Sequence, residues 1–247
     1  MDILSRMICV ECRRPVVTLY TEYSKGNIRL TQCDNCKHFA DKYVELDNVV
    51  VFIDLLLHKP QAYRHILFNR LSYQDQGLHP GVAKLSALLV LFDVYIKWFR
   101  IEKEAPFQPH PTFFSLSPIM QYGYILIYCI LEHLLFHAGV QLAMRWRFRG
   151  RYAIIKYNYL SMALIISSFT KLISLLMAIW NYVHLEYSWL LNVLVLLSNA
   201  EATSVFLDGD WTEAVILLSV GSLLRLVGQV SFIAGTGYIL PWVTMTV

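Results

Sequence analysis

Two Cys-x2-Cys pairs, Cys9/Cys12 and Cys33/Cys36, stand with twenty residues between them and constrain the front of this chain more than any other feature. Each pair forms a tight knuckle that offers two thiolates, and two knuckles complete the four-sulfur tetrahedron that zinc prefers in a closed structural site. Residues 1–7 have no apolar stretch long enough for a cleavable signal sequence, and Glu11, Arg13 and Arg14 follow Cys9 at once. The head is therefore expected in the cytosol, where paired cysteines hold metal more often than they form disulfides. Two disulfides or free buried thiols are the alternative. A catalytic zinc is disfavoured, because four protein ligands leave no position for water. Cys129 lies in an apolar run and is read as a small buried hydrophobe.

Between the knuckles, residues 16–20 and 28–32 are rich in β-branched and aromatic side chains, and Ser24-Lys25-Gly26-Asn27 supplies turn chemistry. A hairpin follows, with residues 42–46 as a candidate third strand. So small a core depends on its metal. Residues 1–48 thus read as a β zinc-ribbon-like cytosolic head, with structural Zn2+ held by Cys9, Cys12, Cys33 and Cys36.

Beyond about Gly81 apolar runs dominate. Hydrophobic residues make up 56% of the chain and charged residues 16%, with a mean hydropathy of +0.46. A water-soluble fold of this length has no core large enough for such a balance. Five apolar stretches, residues 82–99, 118–144, 158–180, 188–207 and 213–240, are each long enough to span a bilayer. Trp98, Tyr122, Trp146, Trp180 and Trp211 sit near their ends, as an interfacial aromatic belt would. The fold class is therefore mainly α, a polytopic transmembrane bundle of about five spans over residues 82–247. Arg145, Arg147, Arg149, Arg151 and Lys156 form a basic loop that the positive-inside rule puts in the cytosol, together with the head two crossings earlier. The fifth stretch then leaves the C-terminus on the far side. The same basic loop can also hold anionic lipid headgroups.

Residues 49–57 are apolar but too short to cross, and Pro60 breaks them. Residues 49–81 are read as an interfacial helical segment in the headgroup layer, the alternative being a helix packed against the head. Asp54 is expected to cap or pair locally, with Arg64 as its partner. Asp54, Tyr63, Arg64, His65, Arg145, Arg147 and Arg149 are the candidates for contact with a lipid or a partner protein.

Asp93, Glu132, Lys171 and Arg225 fall inside the spans at about one depth, roughly 15 to 20 Å from the cytosolic end. A lone charge there costs several kcal/mol, so a paired cluster facing the bundle interior is expected, with Glu132 and Lys171 as one candidate pair. A polar lining for a lipid headgroup path is the second reading. Glu132, His133 and His137 lack the HExxH order of a metalloprotease, and nothing else in the spans supplies a nucleophile and its base.

The run Cys9-x2-Cys12, Gly26-Asn27-Ile28-Arg29-Leu30, Cys33-x2-Cys36, Ala40-Asp41-Lys42-Tyr43-Val44-Glu45, Phe52-Ile53-Asp54-Leu55 and Lys59-Pro60-Gln61-Ala62-Tyr63-Arg64-His65-Ile66-Leu67-Phe68-Asn69 resembles the homology domain of the Arv family. These are endoplasmic-reticulum membrane proteins of sterol homeostasis, and the resemblance covers about residues 7–70. It implies a multi-pass, non-enzymatic protein that mediates or regulates intracellular sterol distribution, with effects on sphingolipid and GPI-anchor pathways. It also implies the four cysteines as zinc ligands. The partners implied are membrane lipids, namely sterol and GPI precursors, and GPI-biosynthesis enzyme subunits. The alternative function is an accessory scaffold subunit of a GPI-anchor biosynthetic glycosyltransferase complex. Nucleic acid is excluded as a partner, because the head has no basic stripe.

Overall fold

In the computed structural model, which describes residues 7–71, 78–104, 111–148, 154–180, 185–207 and 209–236, the head grows from two equivalent turns. The Arg13 N–H donates to the Cys9 carbonyl and the Lys37 N–H to the Cys33 carbonyl, both at 2.9 Å. Cys9 and Cys33 in turn donate to Arg14 and His38, both at 2.8 Å. Closing each turn requires a left-handed residue directly after the second cysteine: Arg13 has φ 63° and Lys37 φ 61°. That conformation costs a residue with a Cβ about 1 kcal/mol.

Strands β1 (Tyr20–Ser24) and β2 (Asn27–Leu30) pair antiparallel, with Tyr20 opposite Leu30 and Ser24 opposite Asn27. Lys25 and Gly26 make the turn, Gly26 at φ 83°, which a side chain would resist. The first strand thus begins later than expected. Pairing starts where Leu19 accepts from the Thr31 N–H at 2.9 Å, and Val17 is 95% exposed. Residues 42–46 do not form a third strand. Asp41 accepts from the Tyr43 N–H at 3.0 Å and so caps a 3-10 turn over Lys42–Val44.

Helix α1 (Asn48–Leu56) stops where His58 turns left-handed at φ 54° and the Lys59 N–H closes on the Asp54 carbonyl at 3.0 Å. Pro60 then opens α2 (Pro60–Arg64) from the first position, where its missing N–H does no harm. Helix α2 runs directly into a π-helical turn, His65–Arg70. Val51, Leu55, Ala62, Tyr63 and Leu67 from this stretch share one core with Tyr159, Met162, Ala163, Phe169, Ala202 and Val205. The opposite face of α1 exposes Val49, Ile53 and Leu57. Helix α1 is thus apolar on both sides, one face packed on the bundle core and the other exposed.

The bundle comprises α3 (Pro80–Glu104), the short α4 (Pro111–Phe114), α5 (Pro118–Phe148) and α6 (Ile154–Ser167). Helix α6 passes through a 3-10 turn, Ser168–Lys171, into α7 (Leu172–Ile179), and α8 (Leu185–Leu207) and α9 (Trp211–Thr236) complete it. Among the described residues four segments are long and apolar enough to cross a membrane: Pro118–Phe148, Asn158–Leu176, Leu190–Leu207 and Trp211–Thr236. The fifth expected span, residues 82–99, is helical within α3 but carries Lys84, Asp93 and Lys97, too many charges to qualify on composition. The described residues therefore hold four candidate spans.

Helices α5 and α9 pack through glycine. A Cβ on Gly139 would stand 2.8 Å from the Gly221 Cα, and one on Gly221 would stand 2.5 Å from Val140 Cγ2 and 3.0 Å from the Phe136 carbonyl oxygen. In lipid, where apolar burial gives helices no drive to associate, such backbone approach is what holds them. Gly221, Arg225 and Gln229 share one face of α9 at intervals of four residues. The approach at Gly221 therefore carries Arg225 and Gln229 to Glu132 of α5. Substituting Gly221→Ala is expected to lower the thermal midpoint of the solubilised protein by the equivalent of about 1–3 kcal/mol of overpacking. Gly123→Ala, with nothing within 4 Å of the new Cβ, is expected to leave it unchanged or higher.

Candidate functional site

The four thiols converge. Cys9 and Cys36 have Sγ atoms 3.6 Å apart, Cys12 and Cys33 3.5 Å, and all four lie within 4.8 Å of one another. A tetrahedral site with metal–sulfur bonds of about 2.3 Å sets its sulfurs about 3.8 Å apart, so the arrangement fits one ion and is too wide for disulfides. Among the described residues this is the one group of three or more His, Cys, Asp or Glu donors able to hold a metal. Burial pushes the Cys9 thiol up to about 12. Burial also opposes ionisation of Cys12, but hydrogen bonds from the Arg14 backbone and the Asn35 side chain outweigh it and bring that thiol down to about 6. Holding four thiolates this close requires a cation at their centre.

A second set of contacts welds this head to the bundle. Asp41 is fully buried, and its Oδ2 accepts from His65 Nδ1 at 2.7 Å and from Asn69 Nδ2 at 2.6 Å. Asn69 also exchanges both bonds with the Ile8 backbone, accepting at 2.9 Å and donating at 3.0 Å. The π-helical turn puts His65 and Asn69 on the side facing Asp41. Arg64 donates through one nitrogen to the carbonyls of Val10 (2.5 Å) and Glu11 (2.9 Å), the two residues between the first pair of cysteines. Arg64 and His65 are 8% and 7% exposed. The reading of these two side chains as headgroup contacts is thereby corrected, since each is used inside the protein. The expected Asp54–Arg64 pair is corrected too. Asp54 accepts from Lys59 Nζ at 2.7 Å and from the Tyr43 hydroxyl at 2.8 Å. Tyr63 is buried with its hydroxyl 2.8 Å from Ser198 Oγ, tying α2 to α8.

Glu201 of α8 lies within electrostatic reach of Arg13 and Arg64, and it accepts from the Trp211 indole at 3.1 Å. Arg147 pairs with Glu213 of α9 at 2.6 Å. Head and α5 C-terminus thus occupy the same end of the bundle. Arg145 is exposed near that end, whereas Arg149 lies outside the described residues.

Deeper in the bundle, Asp93, Glu132, Lys171 and Arg225 do come together, with partners other than those expected. Lys171 donates to Asp93 at 2.8 Å, not to Glu132. Glu132 is met by Lys97 and Gln229 in short contacts and by Arg225 at 3.4 Å. His133 bonds Ser86 at 2.9 Å and lies tilted against His137, ring centroids 4.5 Å apart and planes at 58°. These groups line a cavity of about 170 Å³ between α3, α5, the 3-10 turn after α6, α8 and α9, with Ser168, Asn192, Asn199 and Ser222 as further polar walls. Cys129, which also borders it, is buried.

A family model described as the Arv1-like family matches residues 8–203. The chain belongs to this family. It is 42% identical over 231 residues to the protein arv1 homolog of Dictyostelium discoideum, covering 90% of this chain and 94% of that one. Identity is 36% to the protein arv1 of Schizosaccharomyces pombe (94% and 87% covered) and 30% to the ARV1 protein of Saccharomyces cerevisiae (89% and 87% covered). None of these three relatives is named as an enzyme. No solved structure matches. The chain is thus a multi-pass membrane protein of the Arv1-like family, with a four-cysteine cluster able to hold a metal.

Sequence reasoning missed Asp41, Asn69, Lys97 and Gln229. Asp41 and Asn69 stand within the stretch that carries the family resemblance, and Lys97 lies one helical turn from Asp93, which were the available signals.

Two outcomes follow from this geometry. Chelation of the reduced, solubilised protein is expected to open residues 7–47 to protease while α5–α9 remain protected, because the exposed β1–β2 hairpin has little core of its own. A head that stays resistant after its metal is shown to be gone would refute that dependence. At Asp54, burial alone would raise the carboxyl, but the bonds from Lys59 and Tyr43 outweigh it and hold it below its ordinary 3.8. A depressed folded-state value gives stability that is fully present above 3.8 and is lost as pH falls through the lower folded value. Asp54→Asn is therefore expected to lower the melting temperature at neutral pH and to flatten its acid decline, read by thermal unfolding across pH.

Proposed function

We propose that this protein is a non-enzymatic membrane protein of the endoplasmic reticulum that mediates or regulates sterol distribution, with linked effects on sphingolipid and GPI-anchor pathways, and that its four thiolates hold structural zinc. The observation that carries the lipid reading is the charged cavity among apolar helices. Ionisable groups within membrane spans mark pathways or binding sites for polar cargo. At about 170 Å³ the cavity is close to the roughly 150 Å³ that encloses a benzene-sized guest, and below the roughly 300 Å³ at which drug-sized pockets begin. It suits the polar end of a lipid and not a whole ring system, so the apolar part of a bound lipid would remain among the helices or in the bilayer. The soft four-sulfur donor set supports zinc. The location of Arg145 and Arg147 at the head end supports a cytosolic head through the positive-inside rule.

The test is complementation in Saccharomyces cerevisiae cells lacking their own 30%-identical relative. Loss of that relative is expected to shift sterol from the plasma membrane to the endoplasmic reticulum, as seen by sterol staining. The full chain is expected to reverse the shift and a Cys33→Ser variant to fail. A wild-type chain that reaches the membrane at matched level yet leaves sterol unmoved would overturn the proposal. Rescue found only where a glycosyltransferase co-purifies in stoichiometric amount would favour a scaffold instead.

A further inference from the structure

The charges around the cavity do not cancel. Lys97, Lys171 and Arg225 face only two carboxylates, Asp93 and Glu132, an excess of one cation among the described residues of the cluster. The excess can be located. Lys171 is matched by Asp93, and Glu132 is already satisfied by Lys97 and Gln229, so Arg225, at 3.4 Å, makes only a long contact to an oxygen Gln229 also uses. Arg225 is half-buried and shares Glu132 with Lys97, so one positive charge of the cluster is left without a carboxylate of its own, and an anion is the ligand that matches it. Arg225 lines the cavity, as does His137, whose Nδ1 is buried and has no hydrogen-bond partner. Leu196, also in the wall, is 46% exposed, so the apolar surface of α8 reaches the cavity at that residue.

We infer that this cavity binds the phosphate of a net-anionic phospholipid, with Arg225 as the principal contact, Lys171 and His137 beside it, and the acyl chains leaving past Leu196. The inference rests on the lipid-handling reading and narrows it from a polar lipid end to a phosphate. A planar guanidinium pairs with phosphate through two parallel hydrogen bonds, which a sterol hydroxyl has too few acceptor atoms to match. The cavity volume accommodates a phosphate and little more.

The full-length protein in detergent is to be titrated with dioleoyl phosphatidic acid, dioleoyl phosphatidylcholine, cholesterol and inorganic phosphate, with bound ligand counted by native mass spectrometry. One phosphatidic acid per chain is expected, bound in preference to phosphatidylcholine and not displaced by cholesterol. Arg225→Gln should weaken it at least about tenfold, the loss expected for a charged hydrogen bond, and Arg225→Lys should recover part of it. Arg225→Gln leaves Glu132 paired with Lys97 and Gln229, so folding should survive. Ser222→Leu, which fills the cavity without removing a charge, gives an independent block and must also abolish binding. Displacement by inorganic phosphate would uphold phosphate recognition and make a soluble phosphate the source; resistance to it upholds the lipid. Binding indifferent to both Arg225→Gln and Ser222→Leu, or displaced by cholesterol, overturns the inference. Sterol rescue with such indifferent binding would leave the proposed function standing, whereas Arg225-dependent binding without rescue would leave the site and remove that function.

Discussion

A carboxylate removed from water must be met by donors, and this requirement acts at two levels of the protein. In the head, Asp41 has no exposure and is met by the Tyr43 backbone, His65 and Asn69. In the bundle, Glu132 is met by Lys97, Gln229 and Arg225. Breaking a buried pair on one side leaves the other charge stranded, at about 3–5 kcal/mol. Each carboxylate therefore fixes which elements may sit against one another. Asp41 selects the π-helical turn after α2 as the floor of the head, and Glu132 selects the faces of α3 and α9 that meet α5.

The four-cysteine cluster and the membrane body are consequently one mechanical unit. The backbone of the first knuckle presents the Val10 and Glu11 carbonyls to Arg64, and the next helical residue back, Tyr63, bonds Ser198 of α8. A path of direct contacts thus runs from the thiols, through α2, to the helix that carries Asn192, Leu196 and Asn199 into the cavity wall. The head has little core to hold its own shape, since β1 is exposed along its whole length. Docking on the bundle supplies part of what its small core lacks, and the four convergent thiols are placed so that a metal could supply the rest.

Glycine decides how near the cavity walls stand. With side chains at Gly139 and Gly221, α5 and α9 would separate and Glu132 would lose its two α9 partners. With glycine there, the helices close on one side while the cavity stays open between α8, α9 and the turn after α6. Small residues and buried charges therefore act together: the first allow the approach, and the second make the approach specific to one helix rotation.

Much was legible in the residue order because its cause is local. The cysteine spacing makes a knuckle by short-range turns alone, hydropathy over some twenty residues makes a helix that lipid accepts, and charges within such runs must face inward. The convergence of Cys9, Cys12, Cys33 and Cys36, the helical body and the members Asp93, Glu132, Lys171 and Arg225 of the polar cluster all follow from that. Who pairs with whom did not follow. Lys171 reaches Asp93 and Glu132 reaches Lys97 because of helix rotation and glycine contact, which are properties of the packed bundle. Arg64 and His65 looked like surface charges, since only the docking of the head reveals carbonyls and a carboxylate waiting above them. Residues 42–46 had strand composition, yet a neighbouring aspartate capped them into a turn, and α3 had the length of a span but too many charges. Composition and spacing thus determined which groups had to leave water. The tertiary structure alone decided which partners received them, because a buried charge is satisfied by whatever donor the chain brings within about 3 Å, at any distance along it.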